Sequence, residues 1–462
     1  MDLEIAKKLI SKYVTGHGFF VDRAAVAERY YNDDNDIHYR KERNREQPPD
    51  AEHPIDNPMR TADNKIAIGF YRLLVDQKAA YLFTAPPVFD VGQKDLNNLI
   101  VSALGDAYAK NVKVLCINAS NAGVGWVHYW KDLRTGEFRW SPVPSEQIIP
   151  VWSPALQHDL LAVLRSYKEF DELTGDAYDV YEFWTDTECQ AFRKRAGDTI
   201  DDGLTVYPMF VPNEEGGGIL RHDFGRVPFI PFPNNSHQTN DLRRVKPLID
   251  AYDKTYSGFM DDLEDIQQVI FILTNYGDQD LKQFLDDLRY YKTISVENSG
   301  AEDKSGVSTL TIDIPVDARE KMLEITRKMI FTMGQGVDPE QQGLNQTSGE
   351  AMKFVYSLLE LKAGNVETEF KLGFNELIRA ILREAGKSTD TIIQTWTRTS
   401  IKNDSALVDM CSKSSGIISR RTILLNHPFV EDAEVEEKQL DEDARRVAEK
   451  MDIYQDADGG DV

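Results

Sequence analysis

From Met329 to Glu384 an amphipathic helix ends, a polar glycine-rich loop follows, and a second, very long helix begins. The loop, Gly334 through Gly349, holds too much Gly, Pro and Gln to bury a core, so it is expected to be exposed and mobile. Ser348 stands where it would cap the next helix. The apolar residues of that helix, Met352, Val355, Leu359, Val366, Phe370, Leu377 and Ile381, recur at helical spacing. A helix reaching Arg383 is on the order of 50 Å long, well beyond the ordinary globular length. Gly364 and Gly373 inside it offer points for a bend. The expectation is a rigid, kinked rod with a soft loop at its N-terminal end.

The chain has 462 residues, enough for two or more domains. No basic segment followed by an apolar run opens it, and no uninterrupted apolar stretch approaches the roughly twenty residues that cross a bilayer. The default is a soluble intracellular protein without a membrane partner. Cys116, Cys189 and Cys411 are far apart and in no CxxC or Cys/His spacing, so neither a disulfide framework nor a zinc site is indicated. The formal charge of −24 repels free nucleic acid at long range. Taken alone it speaks for solubility; it gains a function only if many copies line a shared surface.

Met1 to Val26 is amphipathic with a break expected at Gly16-His17-Gly18, and Ala24 to Tyr31 reads as a second helix. Asn32 to Pro58 is a polar, Pro-containing arm. Asn64 to Phe83 returns to helical periodicity and is stopped by Pro86-Pro87. Leu96 to Ala109 is helical. Short apolar runs then predict strands at Val112–Ile117, Trp126–Trp130 and Phe138–Trp140, continuing through Leu160–Tyr167, Tyr178–Trp184 and Gln190–Lys194 to the segment Arg226–Phe232.

Beyond Asn235, Ile249, Tyr252, Tyr256, Phe259, Leu263, Ile266, Ile270 and Leu273 are spaced alternately three and four apart, a heptad seam that needs a partner. Asp261, Asp262 and Asp265 lie off it, toward water or a channel. Tyr276 to Ile314 is a small insert with a short helix and two alternating segments, Lys292–Val296 and Val307–Ile312. Asp317 to Met333 is helical again, so two helices bracket a compact β insert as two shafts carry a knob. After the long helix come a strand (Thr391–Ser400), two short helices (Ser405–Cys411 and Ser419–Leu425) and an acidic run, Glu431–Asp443.

Motifs of catalysis are missing from the sequence. There is no HExxH, GxSxG or strand-linked GxGxxG, and Gly386-Lys387-Ser388 lacks the first glycine of a phosphate loop; it reads as the end of the long helix. The eight histidines contain no i, i+4 pair, and the acidic pairs Asp261-Asp262 and Asp286-Asp287 do not converge on a helix. No catalytic residue, cofactor or metal is expected.

The order of parts resembles the portal proteins, the head-to-tail connectors of long-tailed bacteriophages, and the likeness covers nearly the whole chain. Four local segments carry it: Phe70–Leu82 followed by Pro86-Pro87; Pro228–Asn235 followed by Leu248–Asp253; Thr347–Lys353; and Ile417–Leu424 with the later acidic run. Phe83-Thr84-Ala85 departs from the glycine usual after the first segment, and Arg420 from the more common lysine. The resemblance implies an α+β portal fold assembled as a ring, usually of twelve copies, at one capsid vertex, with double-stranded DNA passing through during packaging and ejection. It implies a wing (1–240), a stem helix (241–273), a clip (274–314), a second stem helix (315–333), a tunnel loop (334–348), a long wing helix and strand (349–402) and a helical crown (403–462). It further implies partners: the large subunit of the terminase packaging motor, a head-completion adaptor, and major capsid and scaffold proteins, in the virion and, during assembly, the host cytoplasm.

Within that frame the tunnel-loop residues Gln335, Asp338, Glu340, Gln341, Gln342, Asn345 and Gln346 are candidates for weak DNA contact without sequence preference. Lys321, Arg327 and Lys328 are a candidate basic belt in the stem. An acidic bore would let phosphates slide rather than stick. Two other classes stand beside this reading: a motor that itself hydrolyses nucleotide, disfavoured by the missing phosphate loop, and a capsid-assembly or scaffold-interaction protein that never meets DNA.

Overall fold

Helix α1, Leu3–Tyr31, runs through Gly16 and Gly18 without a break. Glycine inside a helix costs about 1 kcal/mol relative to alanine, which made a break the simplest expectation. Packing at both ends outweighs that cost: Ala6 and Ile10 sit against Leu164, Tyr181 and Phe192, and Ala27 and Tyr30 against Phe70, Tyr71 and Leu74. This is a computed structural model, and it describes residues 2–41, 62–132, 134–172, 174–210, 218–265, 270–274, 306–310, 315–340, 349–398, 404–430 and 433–457.

Residues 62–69 are extended, and helix α2 begins only at Phe70, running to Leu82. After strand β1 (Val88–Asp90) come helices α3 (Lys94–Leu104) and α4 (Tyr108–Ala122). The strand expected at Val112–Ile117 is therefore part of α4. Val112, Leu115, Cys116 and Ala119 are all fully buried, three or four apart, and a short apolar run fits either period until its packing is known.

Strands β2 (Val124–Lys131) and β3 (Phe138–Val143) form a hairpin, and β10 (Phe229–Pro233) pairs with the outer side of β2. A larger antiparallel sheet takes β4 (Ile148–Trp152), β5 (Leu160–Phe170), β6 (Ala177–Trp184) and β7 (Glu188–Arg195); after the single turn α5 (Ile200–Gly203), the short β8 (Thr205–Val206) and β9 (Ile219–Arg221) both pair with β7. Successive strand residues point to opposite faces. Val163, Trp184 and Cys189 thus meet Trp126 and Phe229 of the smaller sheet, while Leu164, Tyr181 and Phe192 meet α1.

Helix α6 spans Leu242–Asp265, strands β11 (Ile270–Thr274) and β12 (Gly306–Leu310) pair antiparallel, and α7 spans Val316–Gly334 alongside α6. Two helices do flank a β element. The heptad seam, however, does not stay helical to its end: Ile270 and Leu273 belong to β11, opposite Leu310 and Val307. The run Ile270-Phe271-Ile272-Leu273 is rich in β-branched and aromatic residues, and pairing with β12 satisfies its backbone. Ile266, the segment Lys292–Val296 and the rest of 275–305 lie outside the described residues.

The long helix α8, Gly349–Glu384, is continuous. Ala363, Val366, Phe370, Phe374, Leu377, Ile378 and Ile381 make it the axis of the main core, together with Leu82, Ile100, Leu115 and Phe232. Gly373 serves packing: a Cβ there would lie 2.6–2.8 Å from the Phe232 ring. Gly386, with φ +66, closes the helix as expected. Its N–H donates to Arg383 O at 2.9 Å and the Lys387 N–H to Leu382 O at 2.8 Å, the two bonds of a Schellman motif. Strand β13 (Ile393–Thr395) pairs with β1. Helices α9 (Asp404–Lys413), α10 (Arg420–Asn426) and α11 (Ala433–Ala457) end the chain, with Ser419 Oγ accepting the Thr422 N–H at 3.3 Å as the cap of α10.

Candidate functional site: the root of the polar loop

The first seven residues of the polar loop are held, not loose. At the end of α7, Gln335 takes the left-handed conformation (φ +55), and the Gly336 N–H donates back to Phe331 O at 2.9 Å. Gly334 and Gly336 press on Leu74 of α2, where added Cβ atoms would fall 2.5 and 2.3 Å from its methyl groups. Val337 is buried and exchanges two hydrogen bonds with Gln77: the side-chain Nε2 donates to Val337 O at 2.7 Å, and the Val337 N–H donates to Oε1 at 3.0 Å. Lys362, buried on α8, donates to Gly334 O at 2.9 Å, satisfying a carbonyl at the negative end of α7.

Asp338 and Glu340, read as DNA-facing residues, are turned back on α7. Arg327 binds Asp338 through Nε (3.1 Å to Oδ2) and Nη2 (2.8 Å to Oδ1), and its Nη1 lies 2.7 Å from Glu340. The expected basic belt is correspondingly weak. Arg327 is matched by two acids and Lys321 by Glu324 at 2.7 Å, because acids three residues along a helix or across a tight loop are the nearest counter-ions. Lys328 has no ion pair among the described residues. Gln335 is at the root; Gln341, Gln342, Asn345 and Gln346 lie outside the described residues.

The seam divides along its length. Ile249 is fully buried in the chain's own core with Ile330 and Phe331, and Tyr252 sits edge-on to Phe70 at 4.9 Å. Tyr256 and Phe259 are half-buried, and Leu263 is exposed. The larger uncovered apolar face is on α7: Met322, Ile325, Met329 and Met333 are 41–51% exposed at successive turns.

Asp261, expected to face water or a channel, is buried instead. Asp253, Ser257 and Asp261, four residues apart, are at most 1% exposed and accept main-chain N–H groups from the extended segment 62–69. Ile68 donates to Asp253 Oδ1 at 3.0 Å, Ile66 to Ser257 Oγ at 3.0 Å, and Asn64 to Asp261 Oδ1 at 2.6 Å. Four helical residues advance about 6 Å and two extended residues about 6.6 Å, so the two rows stay in step. Asp262 forms an ion pair with Arg319 at the surface, and the side chain of Asp265 lies outside the described residues.

Sequence reasoning missed Gln77, Lys362 and this strap. One signal pointed to Lys362: it stands between Leu359 and Val366 on the apolar face of a helix, where an unpaired lysine is not tolerated. Among the described residues no three His, Cys, Asp or Glu groups gather as metal ligands, and no helix is long and apolar enough to cross a membrane.

Residues 10–450 match the family described as phage portal protein, SPP1 Gp6-like. The portal protein of Clostridium phage phiCD119 is 40% identical over 413 residues, 86% of this chain and 88% of that one. The portal protein of Bacillus phage SPP1 is 32% identical over 453 residues, covering 94% and 86%. Among solved structures, the neck of an empty gene transfer agent particle aligns with 78% of this chain and 90% of that one, at 12% identity and a TM-score of 0.47.

Proposed function

Because this chain belongs to the SPP1 Gp6-like family of phage portal proteins, we propose that it works as the portal of a phage head: a ring of copies through whose bore double-stranded DNA is packaged and later released. The observation that carries the reading is the family match across residues 10–450, which takes in all of the elements described above but the first turns of α1 and the last turns of α11.

The physical features fit such a device. The exposed stripe Met322, Ile325, Met329, Met333 on α7, with Leu263 on α6, is an apolar edge for the neighbouring copy to cover. The formal charge of −24 gives each copy acids enough to line a bore that repels phosphates, so DNA slides. α6 and α7 act as the stem, β11 and β12 belong to the clip that meets the packaging motor and later a head-completion adaptor, residues 334–348 form the tunnel loop, and α9 to α11 form the crown. In this reading nucleotide hydrolysis belongs to the separate motor.

Electron micrographs of the purified protein should show rings with a central hole, and heads assembled with residues 341–346 replaced by a glycine-serine linker should package DNA poorly. Normal packaging by those heads would remove the loop from the mechanism and favour a capsid-assembly role without DNA contact.

A further inference from the structure

A cavity of about 320 Å³ lies between the β10–α6 loop, the end of α7 and one face of α8, and polar side chains line it. Asp241 and Lys362 are part of its wall, and the buried Lys78 stands behind them. Lys78, fully buried, donates to Asn234 Oδ1 at 2.7 Å and to Asp241 Oδ2 at 2.6 Å. Lys362 reaches the same Oδ2 at 3.0 Å, and the other oxygen of Asp241 accepts from the Asn234 amide at 2.8 Å. One carboxylate therefore serves two ammoniums. Burial alone would push the Asp241 carboxyl up, yet the two lysines hold it well below the usual range, so it stays charged and is shared between them. Burial pulls the Lys362 ammonium down, the mark of a charge its partner only partly compensates.

The cavity wall adds to the imbalance. Arg244 is exposed, and its guanidinium has no hydrogen bond or ion pair among the described residues. Glu369 is the other acid on the wall, but it lies seven residues beyond Lys362 on α8, about 10 Å along the axis. The lining itself holds two cations, Lys362 and Arg244, and two carboxylates, Asp241 and Glu369, and Lys78 behind it draws on the same Asp241 carboxylate. Two buried ammoniums sharing one carboxylate are costly, and a polar cavity bordering them is where a second anion would settle.

We propose that this cavity is an oxyanion site, holding one phosphate- or carboxylate-class group between Lys362 on its floor and Arg244 on its wall. Two sources carry that chemistry: free inorganic phosphate, and an acidic side chain of a second copy of this chain. The proposal does not rest on the DNA-conduit reading.

The test is thermal melting of the full chain, titrated with sodium phosphate against sodium chloride at equal ionic strength, in ring and unassembled fractions. Phosphate should raise the melting temperature saturably in the wild type, and Arg244→Gln should move the half-saturating concentration up about tenfold. Lys362→Met should abolish the response; if it does not fold, the surface variant Arg244→Gln decides alone. A response in both fractions assigns the site to a free anion, and a response only in the unassembled chain assigns it to a neighbour's carboxylate; both keep the site. An equal response in wild type and Arg244→Gln, or no saturable response in either fraction, overturns it.

Discussion

Gln77 and Val337, 260 residues apart, bind each other through both ends of the glutamine amide, at 2.7 and 3.0 Å. The side chain imitates a strand partner and fastens the root of the polar loop to α2. Gln77→Leu should leave a buried N–H and C=O without partners, lowering stability by about 1–2 kcal/mol. Hydrogen exchange at the Val337 amide checks this, with Gln77→Glu, which keeps an acceptor and loses the donor, falling between. Unchanged protection in Gln77→Leu would show that Gly336 and Leu74 alone hold the root.

Arg327 is the latch between α7 and the loop, occupied by Asp338 and Glu340. The double variant Asp338→Asn, Glu340→Gln frees that guanidinium. Duplex DNA binding by the assembled protein should then strengthen, with the plot of log affinity against log salt steeper by about 0.9 for each guanidinium that meets a phosphate. An unchanged slope would place Arg327 away from the DNA path.

Two glycines in α8 make opposite forecasts. At Gly364 an added Cβ meets nothing within 4 Å, so Gly364→Ala should stabilise by up to about 1 kcal/mol through helix propensity. At Gly373 the Cβ would strike the Phe232 ring, and Gly373→Ala should cost about 1–3 kcal/mol. Denaturant midpoints of the two variants decide; a stabilised Gly373→Ala would mean that Phe232 has room to retreat.

Asp253 gives the strap a pH dependence. Burial pushes its carboxyl up to about 6, against the hydrogen bonds from Asn35 and Ile68 that favour the charged form. A raised folded value means that Asp253 adds stability in full below its unfolded pKa near 4, and that this contribution is lost as pH rises through about 6. The stability of wild type relative to Asp253→Asn should therefore fall between pH 4 and pH 7, by on the order of 1–2 kcal/mol. Parallel curves would mean that the carboxyl keeps its unfolded pKa in the folded chain.

What could be read from the residues and what could not separates by distance along the chain. The Gly386 stop, the short helix from Ser419, the long helix and the strands from Leu160 onward are written in neighbouring residues, and local rules recover them. The unbroken α1, the helical Val112–Ile117 and the extended residues 62–69 depend on partners found only after folding: a sheet for Ala6 and Ile10, a core for Val112 and Leu115, and the acceptors of α6 for Asn64, Ile66 and Ile68. The same holds for the candidate site. Its loop was legible as polar and glycine-rich, but its anchors Gln77 and Lys362 lie on helices remote in sequence, and the acids Asp338 and Glu340 found Arg327 before any phosphate.

What α6 grips along the strap is mostly main chain, since each of the three oxygens takes a backbone amide hydrogen and only Asn64 adds a side-chain bond, to Asp261 at 3.0 Å. Positions 66 and 68 are thereby released from spelling out their own attachment, while 253, 257 and 261 must each keep an oxygen. Among relatives, substitutions should accumulate on the gripped ribbon and be scarce on the gripping helix, except for proline, which brings no hydrogen to offer.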